Sequence, residues 1–124
     1  VAARKAVEFG YKVYILPTAK GSRTPDFILE KKNTFRAYDL KTVYGKSSIS
    51  TNLLDSIGQC NRILLNMQVE YNTRLLISDI KRYFDANPYA VEVMIFKSLK
   101  RLQINRFIFE NRSYYWLIKK MYEK

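Results

Sequence analysis

Two runs of strand-forming residues, Phe27-Ile28-Leu29-Glu30 and Phe35-Arg36-Ala37-Tyr38-Asp39-Leu40-Lys41, flank the short polar stretch Lys31-Lys32-Asn33-Thr34. Aromatic and aliphatic runs joined by a few turn-forming residues point to a β-hairpin. With Lys32 and Asn33 as the two loop residues, Lys31 pairs with Thr34, and counting outward sets Asp26 opposite Asp39. Residues opposed in this way have Cβ atoms about 4.5 to 5.5 Å apart on one face. Strand side chains alternate, so Lys41 shares that face with Asp39. A longer loop shifts the pairing, and Lys-Asn is a weaker turn signal than Asn-Gly.

Two carboxylates facing each other across a ladder repel unless positive charge lies between them. A divalent cation resolves the conflict. Magnesium- or manganese-like ions take carboxylate and carbonyl oxygens, which makes Asp26, Asp39 and the Leu40 carbonyl candidate ligands; zinc suits this oxygen set less well. Such an ion polarises a phosphoryl oxygen and lowers the pKa of a bound water. Lys41 is then placed to orient that water or to offset charge developing on a phosphate.

Composition narrows the partners. The 124 residues, 48% of them hydrophobic, suit a single domain with its own core. Twenty-two Lys and Arg against eleven Asp and Glu give a net charge of +11, so a polyanion is the expected partner and nucleic acid the first candidate. The basic residues are spread along the chain and no apolar run approaches a spanning length, which argues against a membrane. With no histidine, Ser-His-Asp catalysis, histidine-paired RNase chemistry and most zinc sites are excluded. The single Cys60 has no intramolecular disulfide partner and reads as a small buried hydrophobe in a reducing compartment.

The chain opens Val1-Ala2-Ala3 without an initiator Met, so a C-terminal piece of a longer protein is expected. Ala2 to Phe9 reads as a short helix stopped by Gly10, and Tyr11 to Leu16 as a strand ended by Pro17. Lys20 and Arg23 then lie in a basic loop, either touching a phosphate backbone or merely solvated. A second polar loop holds Lys46, Ser47 and Ser48; Gly45-Lys46-Ser47 lacks the earlier glycine of a P-loop, and ATP binding is rejected. Ser50 or Thr51 caps the next helix, with Asp55 in or near its first turn and Asn52, Ser56 and Gln59 on a polar stripe that can face the hairpin. Arg62 to Met67 reads as a buried strand. A helix from Asn72 or Thr73 to about Ala86 follows, stopped by Asn87-Pro88, and then a second hairpin over Val91 to Phe96 and Arg101 to Ile104. Ser113 to Tyr122 is a closing helix, although Tyr114 to Ile118 equally fits a strand. The ten tyrosines either stack on unpaired bases or sit at the core edge, and the second reading suits most of them.

Pro25-Asp26 and Asp39-Leu40-Lys41 resemble the motif of the PD-(D/E)XK nuclease superfamily, with Asp where Glu is commoner. The resemblance implies an α/β (α+β) fold: a central mixed four- to six-stranded sheet flanked by helices, with a restriction-endonuclease-like αβββαβ core and C-terminal additions. Glu8 is the candidate third acidic ligand, because many members carry one on the first helix. Gln59 matches a glutamine that several groups present from the helix after the lysine strand. From about Phe9 to Phe96, through Gly10-Tyr11-Lys12-Val13, Leu16-Pro17, Thr24-Pro25-Asp26, Asp39-Leu40-Lys41, Ser50 and Gln59, the chain looks most like toxin domains at the C-termini of bacterial polymorphic and contact-dependent growth-inhibition proteins. That resemblance implies a metal-dependent endonuclease acting on tRNA or DNA, delivered into a target cell's cytoplasm and held in check by an acidic immunity protein. In such a nuclease Asp26 and Asp39 hold the ion, Lys41 orients water, and Gln59 with Ser48 or Ser50 steadies the phosphate. A metal-independent RNase and a non-catalytic nucleic-acid-binding module are the alternatives.

Overall fold

The computed structural model describes residues 2–17, 25–45, 49–55, 57 and 60–123, with residues 50–52 as backbone. Strands β1 (Lys12–Ile15), β2 (Phe27–Lys31), β3 (Thr34–Val43), β4 (Arg62–Met67), β5 (Glu92–Lys97) and β6 (Lys100–Asn105) form one six-stranded mixed sheet, in sequence order from edge to edge. Helix α1 (Ala2–Glu8) precedes β1, α2 (Ile49–Asp55) joins β3 to β4, α3 (Thr73–Ala86) joins β4 to β5, and α4 (Tyr114–Glu123) follows a short 3₁₀ turn, Arg106–Glu110. The expected αβββαβ order and mixed sheet are therefore present.

The β2–β3 hairpin has the register that the sequence implies. Lys31 pairs with Thr34 and Phe27 with Tyr38. Lys32 and Asn33 have φ of 53° and 66°, the paired positive values of a type I′ turn, whose twist matches that of the strands it joins. Asn adopts this region readily, whereas Lys does so at a cost that the ladder beyond it offsets.

β3 changes partner along its length. Its first half pairs antiparallel with β2 as far as Tyr38, and its second half, from Asp39 to Val43, pairs parallel with β4. Parallel neighbours need crossover helices, and β3–α2–β4 and β4–α3–β5 both step the same way across the sheet. Right-handed crossovers that step the same way place both helices on one face. Leu53, Leu76, Ile80, Tyr83 and Ile118 accordingly pack with Ile63, Leu65, Val93, Ile95, Leu102 and Ile104 in the larger core. On the other face α1 supplies Ala2 and Ala6 to a smaller core of Phe27, Leu29, Tyr38, Leu64, Met94 and Phe96. With both faces covered, Ile63, Leu64 and Leu65 of β4 are all fully buried, which explains the unbroken apolar run in the sequence.

Local signals account for the remaining boundaries. The Asn72 side chain accepts from the Leu75 amide and caps α3, and the Arg106 guanidinium donates to the carbonyls of Phe84, Asn87, Pro88 and Ala90, closing the helix's far end. Gly10, at φ 95°, ends the turn after α1. Residues 114–118 are helical rather than extended, because Ile118 and Tyr122, one turn apart, both reach the larger core. Asp55 differs from expectation: α2 starts at Ile49 and is seven residues long, so Asp55 is its last residue rather than part of its first turn.

Candidate functional site

The carboxylate pair stands where β3 exchanges one neighbour for the other. β2 ends its ladder at Phe27, so Asp26 is one step past the last pair, and its amide still donates to the Tyr38 carbonyl at 3.0 Å. The Leu40 amide, with no β2 carbonyl opposite it, donates instead to Asp26 Oδ2 at 2.8 Å. The Asp26 carboxyl interacts with that of Asp39, through a hydrogen bond and through its charge. Asp39 is 3% exposed and its Oδ2 lies 3.6 Å from Lys41 Nζ. Sequence pattern and structure thus agree in bringing Asp26, Asp39 and Lys41 together on one face, the face that carries α2, α3 and α4.

Burial is the main cause that pushes the Asp39 carboxyl up, to about 7; the hydrogen bond shared with Asp26 and that group's charge add to it, and Lys41 opposes it. Cys60, which donates to the Ala37 carbonyl at 3.1 Å, feels the same carboxylate: burial raises its thiol pKa, and Asp39 adds to the rise. The sheet surface bearing Asp39 is therefore a place where negative charge is costly and a cation is welcome.

A stability change follows from this. The folded carboxyl holds its proton at pH values where the unfolded one, near 3.8, has lost it. Asp39 therefore contributes stability that is fully present below about pH 4 and is lost as pH rises through neutrality. In EDTA, thermal melts of wild type against Asp39→Asn are expected to show the wild type losing ground to the variant between pH 5 and 8, by on the order of 1 kcal/mol or more. Parallel pH curves would contradict the placement of the pair.

Of the other expected site residues, Glu8 falls elsewhere. Glu8 is the exposed last residue of α1, and among the described residues no group of three or more Asp, Glu, His or Cys converges on one point. Asp26 and Asp39 stand as a pair, with Glu8 outside it. Ser50 lies in the first turn of α2. Gln59, Lys20, Arg23, Lys46 and Ser48 lie outside the described residues.

A second polar cluster escaped the sequence reading. Glu92, 4% exposed at the start of β5, accepts from the Tyr38 hydroxyl and from Arg62 Nε, both at 2.9 Å, and from Gln103 at 3.3 Å, with Arg36 3.6 Å away. Burial first, then Glu92, pushes the Tyr38 hydroxyl far above its ordinary range. These side chains lie on the α1 face, one residue out of phase with Asp39 along β3. Alternation puts Arg36 with Tyr38 in β3 and Arg101 with Gln103 in β6, but the sequence carries no sign that the two strands share a cluster.

No family model and no curated protein matches the sequence. Among solved structures, a chain of a CdiA-CT/CdiI toxin and immunity complex from Burkholderia pseudomallei is similar in fold, with a TM-score of 0.51 and 17% identity over 84% of this chain and 79% of that one. Among the described residues no helix is long and apolar enough to cross a membrane.

Proposed function

We propose that the chain is a metal-dependent nuclease domain with the role of a toxin, hydrolysing phosphodiester bonds of tRNA or DNA. The observation that carries the reading is the opposition of Asp26 and Asp39 at the end of the β2 ladder, with Lys41 3.6 Å from Asp39. Fold likeness to a chain from a toxin and immunity complex supports the biological role, and with it an immunity protein as partner.

The donor set fits a hard cation. Magnesium-like ions are held by one or two carboxylates together with water and substrate phosphate, so two aspartates suffice. A strand residue directs its amide and carbonyl to the same edge, and the Leu40 amide points at Asp26; its carbonyl accordingly faces the side where the ion would be held. When bound, the ion supplies Lewis-acid polarisation of the phosphoryl oxygen and lowers the pKa of a water. The Leu40 amide fixes Asp26 Oδ2. Lys41 Nζ donates a hydrogen bond to the attacking water or to a phosphoryl oxygen, and the charge it brings offsets that of the reacting phosphate. Water's oxygen forms the new bond to phosphorus as one ester P–O bond breaks, leaving a phosphomonoester and a hydroxyl.

The test is incubation of the folded protein with total tRNA, single-stranded DNA and plasmid, each in magnesium, manganese or EDTA. Cleavage abolished by EDTA is expected. Cleavage that survives EDTA, or none with any substrate, would overturn the reading.

A further inference from the structure

Among the described residues the two faces of the sheet are unequally covered. α2, α3 and α4 pack on one, while among the described helices the seven-residue α1 packs on the other, over Phe27, Leu29 and Leu64. Nothing so short spans the sheet, and between the tip of the β2–β3 hairpin and β6 a cavity of about 300 Å³ remains. Lys31, Lys32, Arg36 and Arg101 line it, with Thr34 and Gln103 as neutral donors, and among the described residues no carboxylate lines it. Glu92 lies beside it, already engaged by Arg62, Tyr38 and Gln103, and offsets one charge of four through Arg36.

The cations are braced toward this space. Arg101 donates to the Tyr11 hydroxyl at 2.8 Å, and Lys31 donates to the Phe9 carbonyl at 3.3 Å. Lys31 Nζ and the Arg101 guanidinium stand 5.0 and 5.7 Å from the Tyr11 ring centroid. That ring is occupied by cations and is a poor platform for a base. Four positive side chains converging on a concave, donor-lined space repel one another until an anion enters, and a phosphate group, whose oxygens accept from many donors at once, suits them.

We propose that this cavity is a phosphate-binding site, separate from Asp26 and Asp39 and on the opposite face of the sheet, that holds a backbone phosphate of a polynucleotide. The proposal rests on the nucleic-acid reading above and adds a second point of attachment. A substrate engaging both faces passes around the sheet's edge, which favours a folded RNA or a long strand over a short oligonucleotide.

Binding of a fluorescent tRNA-sized RNA, measured in EDTA over a range of salt, tests it. Arg36→Gln/Arg101→Gln is expected to raise Kd about tenfold near 0.1 M salt and to flatten the slope of log K against log salt by about 1.5. Because both arginines also make contacts within the fold, Lys32→Gly is the second variant: it relieves the positive φ and removes one charge, and is expected to flatten the slope by just under one. Unchanged Kd and slope in both folded variants, or no RNA binding by the wild type, would overturn the proposal. So would millimolar inorganic phosphate or ATP filling the cavity without displacing RNA, since the ligand would then be a small phosphate compound. The readout needs no turnover, so a failure of the cleavage assay leaves a positive result here standing.

Discussion

Asp39→Asn is expected to lower phosphodiester cleavage about a thousandfold while leaving the protein folded, and Lys41→Ala to lower it by about a hundredfold or more. Catalysis and stability part company at this position. Asp39 is buried beside Asp26, and burial and the neighbouring carboxyl disfavour its charge more than Lys41 favours it. Replacing it with an isosteric amide removes the repulsion, so the variant should melt at or above the wild-type temperature at pH 8 in EDTA. Wild type with magnesium should recover that difference, whereas Asp39→Asn should respond to the ion weakly. A residue held for packing would behave in the opposite way, losing stability and activity together. Single-turnover cleavage and thermal melts on the same samples decide between the two. Full activity in both variants would sink the assignment of the pair.

Glu92→Ala is expected to destabilise the protein by about 3 to 5 kcal/mol, a large part of the 5 to 15 kcal/mol that holds a typical domain together. The carboxylate is 4% exposed and is the common acceptor of Tyr38, Arg62 and Gln103, with Arg36 close by. Truncation leaves the Arg62 charge without its partner and strands the Tyr38 hydroxyl, which is buried on a strand packed against α1. Glu92→Gln keeps an acceptor for Tyr38 but loses the charge, and should fall between the two. Urea unfolding monitored by circular dichroism measures both. A variant of wild-type stability that had lost RNA affinity would instead make Glu92 part of the binding surface.

Much of the candidate site was legible because a hairpin is a local object. A two-residue turn fixes the register, and period two then assigns each side chain to a face, so Asp26, Asp39 and Lys41 followed from counting. The boundaries of β4 and α3 were legible for similar reasons: an apolar run of strand length, and an asparagine cap followed by helical spacing. The start of α2 was less so. Ser50 and Thr51 are good caps, yet the helix begins at Ile49, whose side chain is fully buried in the larger core.

What the sequence by itself determined is the set of elements, the antiparallel hairpins and the carboxylate pair, all of which depend on residues close in the chain. Tertiary structure alone decided which strands lie side by side in parallel and what then meets across them. The pairings of Asp39 with Ile63 and of Arg62 with Glu92 close over long crossovers whose geometry no turn residue encodes. From those pairings come the buried cluster around Glu92, the unequal cover of the two faces and the basic cavity between the hairpin tip and β6. Each joins side chains from distant parts of the chain, brought together by burial of the two cores rather than by any local preference.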